Sequence, residues 1–183
     1  MTEQTLSPEA VYEEADGCGL PYPTAERPYF VTEDPLLIKV VDEAACIPSR
    51  AHPSDSGLDL TPIAVRKQLR SDTWLLGTGI AVKPPLGYYV DMVGRSSISK
   101  TDVFVSNAYG VIDEQYRGEL MIAVTVKPGT DLASFDIESL VNGKPLVQMI
   151  LRPLIVSEVA VVDELDVTER GDGGFGHTDE KRA

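Results

Sequence analysis

Cysteine, histidine and long hydrophobic runs are scarce in this chain of 183 residues. The cysteines are Cys18 and Cys46, the histidines are His52 and His177, and no zinc-site spacing can be written with them. We therefore interpret both cysteines as free thiols in a reducing compartment. No run of 18 or more apolar residues occurs, so a membrane-spanning segment is not expected.

Positive charge is also scarce. The chain has 16 Lys and Arg residues against 29 Asp and Glu residues, which gives a net charge of −13 and a sequence pI near 4.5. Because nucleic-acid affinity depends largely on Lys and Arg at phosphates, we do not expect DNA or RNA as a partner.

Acidic residues are concentrated in the first 35 residues, which hold eight Asp and Glu residues and one basic residue, Arg27. This stretch has no basic region followed by an apolar one, so no secretory signal is expected and we predict a cytoplasmic location. Because it shows no sustained hydrophobic period, we interpret residues 1–35 as a partly irregular acidic leader that could contact a protein partner.

Short apolar runs separated by turn residues begin at Leu36. Six runs predict strands, at residues 36–41, 78–82, 88–93, 120–126, 146–151 and 156–162. Many short strands with few helical periods are typical of a β-sandwich or barrel, so we expect an all-β fold. We divide the chain into the leader, a β domain over residues 36–165 and a glycine-rich C-terminal arm over residues 166–183.

Residues 169–178 combine glycine, arginine and phenylalanine. Four glycines, Arg170 and Phe175 lie within residues 170–176. Glycine lets the backbone approach a ligand closely, Arg can bind phosphate with two donors, and Phe can stack on a nucleobase. The alternative is a flexible polar tail without a function, and composition alone does not decide between the two.

Three other segments contain residues that suit ligand binding or catalysis. Residues 94–100 place an arginine and three serines directly after a predicted strand, where side-chain and backbone donors can hold a phosphate. The alternative there is an ordinary helix N-cap. Residues 107–119 predict a strand entering a hairpin, with Asp113 placed to orient or deprotonate water, although Asp113 also suits an ordinary turn. Asp59 lies between two leucines, so it either caps backbone or serves a cation.

In their order along the chain, these segments resemble the five sequence motifs of the trimeric dUTPase family. The similar segments are residues 51–60, 94–99, 107–119, 143–148 and 169–178, for the first to the fifth motif. The resemblance covers residues 36–178. It implies a distorted jelly roll of the β-clip type that assembles as a homotrimer with three shared active sites.

The activity implied by this resemblance is Mg²⁺-dependent hydrolysis of dUTP to dUMP and pyrophosphate, which removes dUTP and supplies dUMP for thymidylate synthesis. The third motif would come from one subunit, the first, second and fourth from a neighbour, and the C-terminal arm from the third. Asp113 resembles the residue that activates the water attacking the α-phosphorus. Tyr116 resembles the residue that packs under deoxyribose, and Asp59 an acid that reaches the metal through water.

The remaining substrate positions follow from the same resemblance. The positions that read uracil or face the sugar are Asn107, Gly110, Val111, Ile112 and Met121. The positions that contact phosphates are Arg95, Ser96, Ser97, Gln148, Arg170, Gly176 and Thr178. Phe175 resembles the aromatic lid over uracil.

Four features depart from the family pattern. Gln115 stands in place of an Asp, Lys144 and Pro145 in place of an Asp–Arg pair, and Asp179 in place of a Gly. A short insertion lies within residues 139–142. The negative charge of Asp179 near the γ-phosphate is expected to weaken closure of the arm.

Two other functions are open on the sequence alone. A dCTP deaminase on a related fold would place its catalytic Glu near Ala123, but that position is apolar. The second alternative is a regulatory or binding protein that uses the same body and responds to dUTP. The acidic leader is the segment that would contact its partner.

Overall fold

The computed structural model describes residue 32 and residues 34–173. Most of the acidic leader lies outside the described residues, as do residues 174–183. Ten strands make up almost all of the regular structure. The strands are β1 Leu37–Val40, β2 Leu58–Leu60, β3 Ala64–Arg70, β4 Thr73–Gly77, β5 Ile80–Lys83, β6 Tyr88–Gly94, β7 Val103–Val105, β8 Tyr109–Ile112, β9 Met121–Val126 and β10 Val147–Pro153. Two short 3₁₀ helices, Ser96–Lys100 and Ile137–Leu140, complete it.

The strands form two four-stranded sheets and one two-stranded ribbon, all antiparallel. The order is β2-β10-β6-β8 in the first sheet and β3-β4-β9-β7 in the second, and β1 pairs with β5. The expected all-β architecture of the jelly-roll class is confirmed. Within the described residues no helix is long and apolar enough to cross a membrane.

A single hydrophobic core lies between the two large sheets. Alternation along the strands produces it: Ile122, Val124 and Val126 of β9 are buried, whereas the residues between them face the other side. Val90 and Met92 of β6 are buried in the same way and join the same cluster. Five of the six strands predicted from apolar runs are therefore present, as β1, β5, β6, β9 and β10.

The strand predicted over residues 156–162 is wrong. After β10, the amide of Leu154 donates to the carbonyl of Gly87, and the chain then leaves the sheets. Residues 155–167, here called the extended segment, are exposed throughout, with Val159 at 92% and Val161 at 97%. The segment has β-forming residues, but it pairs with no strand among the described residues.

Candidate active site

A pocket of about 320 Å³ lies where β8 passes into the loop formed by residues 113–120, here called the connecting loop. The pocket is lined by Leu75, Val111, Ile112, Asp113, Tyr116, Glu119, Leu120 and Met121. Five of these residues are predicted site residues. β8 pairs with β6 and β9 pairs with β4 and β7, so the connecting loop joins two sheets and the predicted simple hairpin is wrong.

Asp113 follows the last residue of β8 and is exposed at the rim of the pocket. Its carbonyl accepts a hydrogen bond from the Tyr116 amide at 3.0 Å, which closes the first turn of the connecting loop. No described residue donates a hydrogen bond to its carboxylate, so both carboxylate oxygens are free to accept from water or a ligand.

Tyr116 packs back over the connecting loop. Its hydroxyl donates to the Glu119 carbonyl at 3.1 Å. A Cβ atom at Gly118 would collide with the Tyr116 ring, so glycine is required for this close approach. Arg117 donates to the carbonyls of Glu114 and Tyr116 and holds the turn together.

Asn107 and Gly110 lie at the opposite end of β8, outside the pocket. Ala108 between them has a φ of 53°, in the left-handed region, which is uncommon for a non-glycine residue. A Cβ atom at Gly110 would lie 3.3 Å from both the Asn107 side-chain nitrogen and the Met92 carbonyl oxygen. The Asn107 amide therefore packs directly on the glycine backbone of β8.

A second group of predicted residues, the Asp59–Arg95–Gln148 cluster, lies at the far end of β6. Arg95 Nε is 2.8 Å from Asp59 Oδ1, and Arg95 Nη1 donates to the Pro145 carbonyl at 3.1 Å. Gln148 of β10 lies opposite Asp59 of β2 in register. Although Pro145 departs from the family pattern, Arg95 is still anchored, because it contacts both the Pro145 carbonyl and the Asp59 carboxylate.

Ser96 and Ser97 begin the first 3₁₀ helix directly after Arg95, and both are exposed. Arg95 is the N-cap residue, and no side chain caps this helix. A helix does begin here with exposed serines, as the alternative expects, but Arg95 and not a serine is its N-cap residue. The Ser96 and Ser97 hydroxyls have no protein hydrogen-bond partner among the described residues.

The two groups of site residues are far apart within one chain. Ile112 pairs with Val90, so Asp113 lies level with Tyr89, six positions before Arg95 along β6. At the rise of an extended strand this separation is about 20 Å. One chain therefore does not bring Asp113 and the Asp59–Arg95–Gln148 cluster together.

Arg170 is exposed in a turn at the end of the described residues. Its Nε donates to the Gly173 carbonyl at 3.0 Å, and the Gly171 amide donates to the Thr168 hydroxyl at 3.1 Å. All of the contacts found for this turn are internal to it. The predicted positions Phe175, Gly176 and Thr178 lie outside the described residues.

Sequence reasoning missed a buried acid on the outer face of the first sheet. Asp91 is fully buried, and its Oδ2 accepts from Arg152 Nε at 2.8 Å and from the Tyr109 hydroxyl. Its Oδ1 has no hydrogen-bond partner among the described residues. The hydrogen bonds and charge of Asp91 raise the pKa of both Arg152 and Tyr109. The sequence signal that could have revealed Asp91 is an acidic residue within an otherwise apolar predicted strand.

Sequence reasoning also missed a charged network beneath the pocket. Arg66 of β3 bridges Glu119 and Asp42 at 2.9 Å and 2.8 Å. Glu119 lines the pocket, and its carboxylate also accepts the Gly79 amide at 2.8 Å. No pattern in the sequence links Arg66 to Glu119, because the contact spans 53 positions.

Comparison with known sequences gives a consistent result. The sequence model of the dUTPase family matches residues 43–179. The deoxyuridine 5'-triphosphate nucleotidohydrolase of Clostridium acetobutylicum is 35% identical over 148 residues, which cover 80% of this chain and 98% of the relative. The enzyme of the same name from Corynebacterium efficiens is 31% identical, with 86% of this chain and 84% of the relative covered.

Solved structures agree on the fold. A point variant of the Staphylococcus bacteriophage 80alpha dUTPase with dUpNHpp has a TM-score of 0.64 and 24% identity, covering 79% of this chain and 98% of that one. A variant of the dUTPase from phage phi11 of S. aureus, in which the coordination of a structural Mg(II) ion is described, has a TM-score of 0.57 and 22% identity. It covers 73% of this chain and 100% of its own. These two similarities concern the fold alone.

Proposed function

The chain belongs to the dUTPase family, whose members hydrolyse dUTP to dUMP and pyrophosphate, and from this premise we propose how its residues perform the reaction. The protein is a hydrolase of nucleotide metabolism. The family assignment removes dCTP deamination as an alternative, and β9, where the deaminating Glu would lie, contains no acidic residue. A regulatory role through the acidic leader stays a prediction.

Asp113 is the proposed general base. It orients a water molecule and accepts a proton as the water oxygen bonds to the α-phosphorus of dUTP. The bond from the α-phosphorus to the bridging oxygen of the β-phosphate breaks, and pyrophosphate leaves. Support comes from the exposed carboxylate at the pocket rim, which has no protein donor among the described residues to compete with water.

The pocket is the proposed nucleoside site. β8 is an edge strand within the described part of the chain, since it pairs there only with β6. Because successive residues of a strand direct their backbone groups to opposite edges, one of Val111 and Ile112 presents its amide and carbonyl on the open edge, where they can hydrogen-bond the uracil. Tyr116 and Met121 supply the wall against which deoxyribose packs, and Asn107 with Gly110 shapes the entry to β8.

Mg²⁺ is the proposed cofactor. Among the described residues no group of three His, Cys, Asp or Glu side chains could enclose a metal ion. Mg²⁺ fits such a site when it is bound mainly by substrate phosphates and waters with one carboxylate nearby. Asp59 is that carboxylate, because its Oδ1 is paired with Arg95 and its Oδ2 accepts no hydrogen bond from the described residues. Bound there, Mg²⁺ would neutralise phosphate charge.

We propose that each complete site is shared between subunits of a homotrimer. The separation of about 20 Å between Asp113 and Arg95 within one chain is the observation that carries this proposal. Both residues must reach the same α-phosphate, so Arg95, Ser96, Ser97 and Gln148 come from a neighbour. The exposed apolar extended segment further indicates that the isolated chain is incomplete.

The C-terminal arm, residues 166–183, is proposed to close over substrate from the third subunit. Arg170, Gly176 and Thr178 would contact the β- and γ-phosphates, and Phe175 would cover the uracil. The division into leader, β domain and arm is part of the same proposal. A cytoplasmic location is also part of this proposal, and Cys46 is exposed and unpaired among the described residues.

The decisive experiment replaces the proposed base. Asp113→Asn should lower kcat for pyrophosphate release from dUTP by at least about a thousandfold, while the Kd for dUTP changes little. Glu114→Gln is the matched control, since it neutralises the adjacent acid, which does not line this pocket. An Asp113→Asn enzyme with near-normal turnover would rule out the assigned base.

A further inference from the structure

β3 contains one extra residue at Arg66. Val65 pairs with Leu76 and Lys67 pairs with Leu75, so the register of β3 on β4 shifts across Arg66. A β-bulge changes the direction of the extra residue's side chain, and bulges are frequent beside active sites. Here the bulge directs a charged side chain of an exposed edge strand toward the connecting loop.

The Arg66 guanidinium binds two carboxylates. Its Nη2 is 2.9 Å from Glu119 Oε1 and 2.8 Å from Asp42 Oδ2, and its Nε is 3.2 Å from Glu119 Oε2. The Glu119 side chain is the least exposed of the three, at 16%. These contacts raise the pKa of Arg66, and the hydrogen bond from Arg66 lowers the pKa of Asp42. A planar two-donor contact of this kind fixes orientation as well as distance.

The ion pair packs directly on the backbone at the end of β4. A Cβ atom at Gly77 would collide with both the Arg66 and the Glu119 side chains. The Gly79 amide, in the turn that follows, donates to the same Glu119 carboxylate at 2.8 Å. The Glu119 side chain is thus held by two segments of the protein body.

Glu119 is also the point where the connecting loop meets the pocket wall. Its carbonyl accepts the Tyr116 hydroxyl at 3.1 Å, and both residues line the pocket. We propose that Arg66 is a positioning residue that fixes the sugar-facing wall through Glu119 and so sets the selectivity for deoxyribose over ribose. The proposal rests on the placement of deoxyribose against Tyr116 in the proposed function. A wall that excludes one additional oxygen atom must be held to within about 0.5 Å.

The test compares dUTP with UTP as substrates of the full-length enzyme. For Arg66→Met, we expect the ratio of kcat/KM for dUTP to that for UTP to fall about tenfold, mainly through a lower KM for UTP, because a loosened wall admits the ribose hydroxyl. Lys67→Met removes the adjacent positive charge of the same strand and should leave the ratio within about twofold. Arg66→Lys should give an intermediate ratio, because an ammonium keeps the charge but lacks the fork. A folded Arg66→Met enzyme with the wild-type ratio would overturn the proposal, as would an equal fall in Lys67→Met.

Two further variants make the result unambiguous. If Tyr116→Ala leaves the ratio unchanged, the sugar placement in the proposed function is wrong. If Tyr116→Ala lowers the ratio and Arg66→Met does not, only the role of Arg66 is wrong. Should Arg66→Met fail to fold, Glu119→Gln keeps the side-chain volume and the bond from Gly79 while weakening the ion pair. We then expect the ratio to fall about threefold in Glu119→Gln, and an unchanged ratio would overturn the proposal.

Discussion

Two inactive variants of this enzyme should restore each other's activity when their subunits are mixed. The variants are Asp113→Asn, which removes the proposed base, and Arg95→Gln, which removes a proposed phosphate ligand. Glutamine at position 95 can still donate a hydrogen bond to Asp59, so the ion pair at 2.8 Å is weakened without leaving Asp59 unpartnered. Each variant alone should form trimers with no intact active site.

The extent of recovery follows from the geometry. Asp113 and Arg95 are about 20 Å apart in one chain, so the proposed site takes residue 113 from one subunit and residue 95 from the next. In a trimer assembled at random from equal amounts of both variants, each of these two positions is intact with a probability of one half. About a quarter of the sites, and about a quarter of wild-type specific activity, should therefore return.

The assay is pyrophosphate release after the two variants are denatured and refolded together. Variants refolded separately and then combined should stay inactive, which controls for wild-type contamination. A second control refolds wild type with an equal amount of the double variant that carries both Asp113→Asn and Arg95→Gln. If the site is shared between subunits, this mixture should retain about a quarter of full activity. If the site lies within one chain, the mixture should retain about half. No recovery from the two single variants, together with half activity in this control, would refute the shared site.

Two further predictions concern the arm and the buried acid. Deleting residues 169–183 should lower kcat/KM for dUTP by at least about a hundredfold, because the arm's positioning groups are lost. The melting temperature should stay unchanged, since the contacts found for Arg170 and Gly171 are internal to their own turn; full activity would remove the arm from the mechanism. Asp91→Asn should lower the pKa of Tyr109, which Asp91 raises above the ordinary value of 10.0, and the difference between the ultraviolet phenol titrations of wild type and Asp91→Asn measures this. Because the folded-state pKa is raised, the stabilisation from this contact is present below pH 10.0 and is lost as pH rises through that pKa. An unchanged titration in Asp91→Asn would show that Tyr109 is not coupled to Asp91.

Strands within long apolar runs were predictable, and the charged edge strand β3 was not. β9 was found because alternate residues are buried in the core. β3 was missed because it is an edge strand with mostly exposed residues, three of which are Lys or Arg, and such strands do not need an apolar face. The run over residues 156–162 misled for the opposite reason, since it has β-forming residues but pairs with no strand in residues 34–173.

Site residues were predictable where they lie close together in sequence. Val111, Ile112, Asp113 and Tyr116 belong to one short segment and line one pocket. The contacts of Arg66 and Asp91 were not predictable, because they come from sheet pairing and a bulge. The contact of Arg66 with Glu119 spans 53 positions, and that of Asp91 with Arg152 spans 61.

The sequence by itself determined the family, the reaction and the all-β architecture, because motif order and apolar alternation are local properties of the chain. Only the tertiary structure decided that Asp113 and Arg95 lie at opposite ends of β6, and that a bulge directs Arg66 onto Glu119. The physical reason is strand register. Register depends on which residues face each other across a sheet, and one shifted position turns a side chain toward a different neighbour.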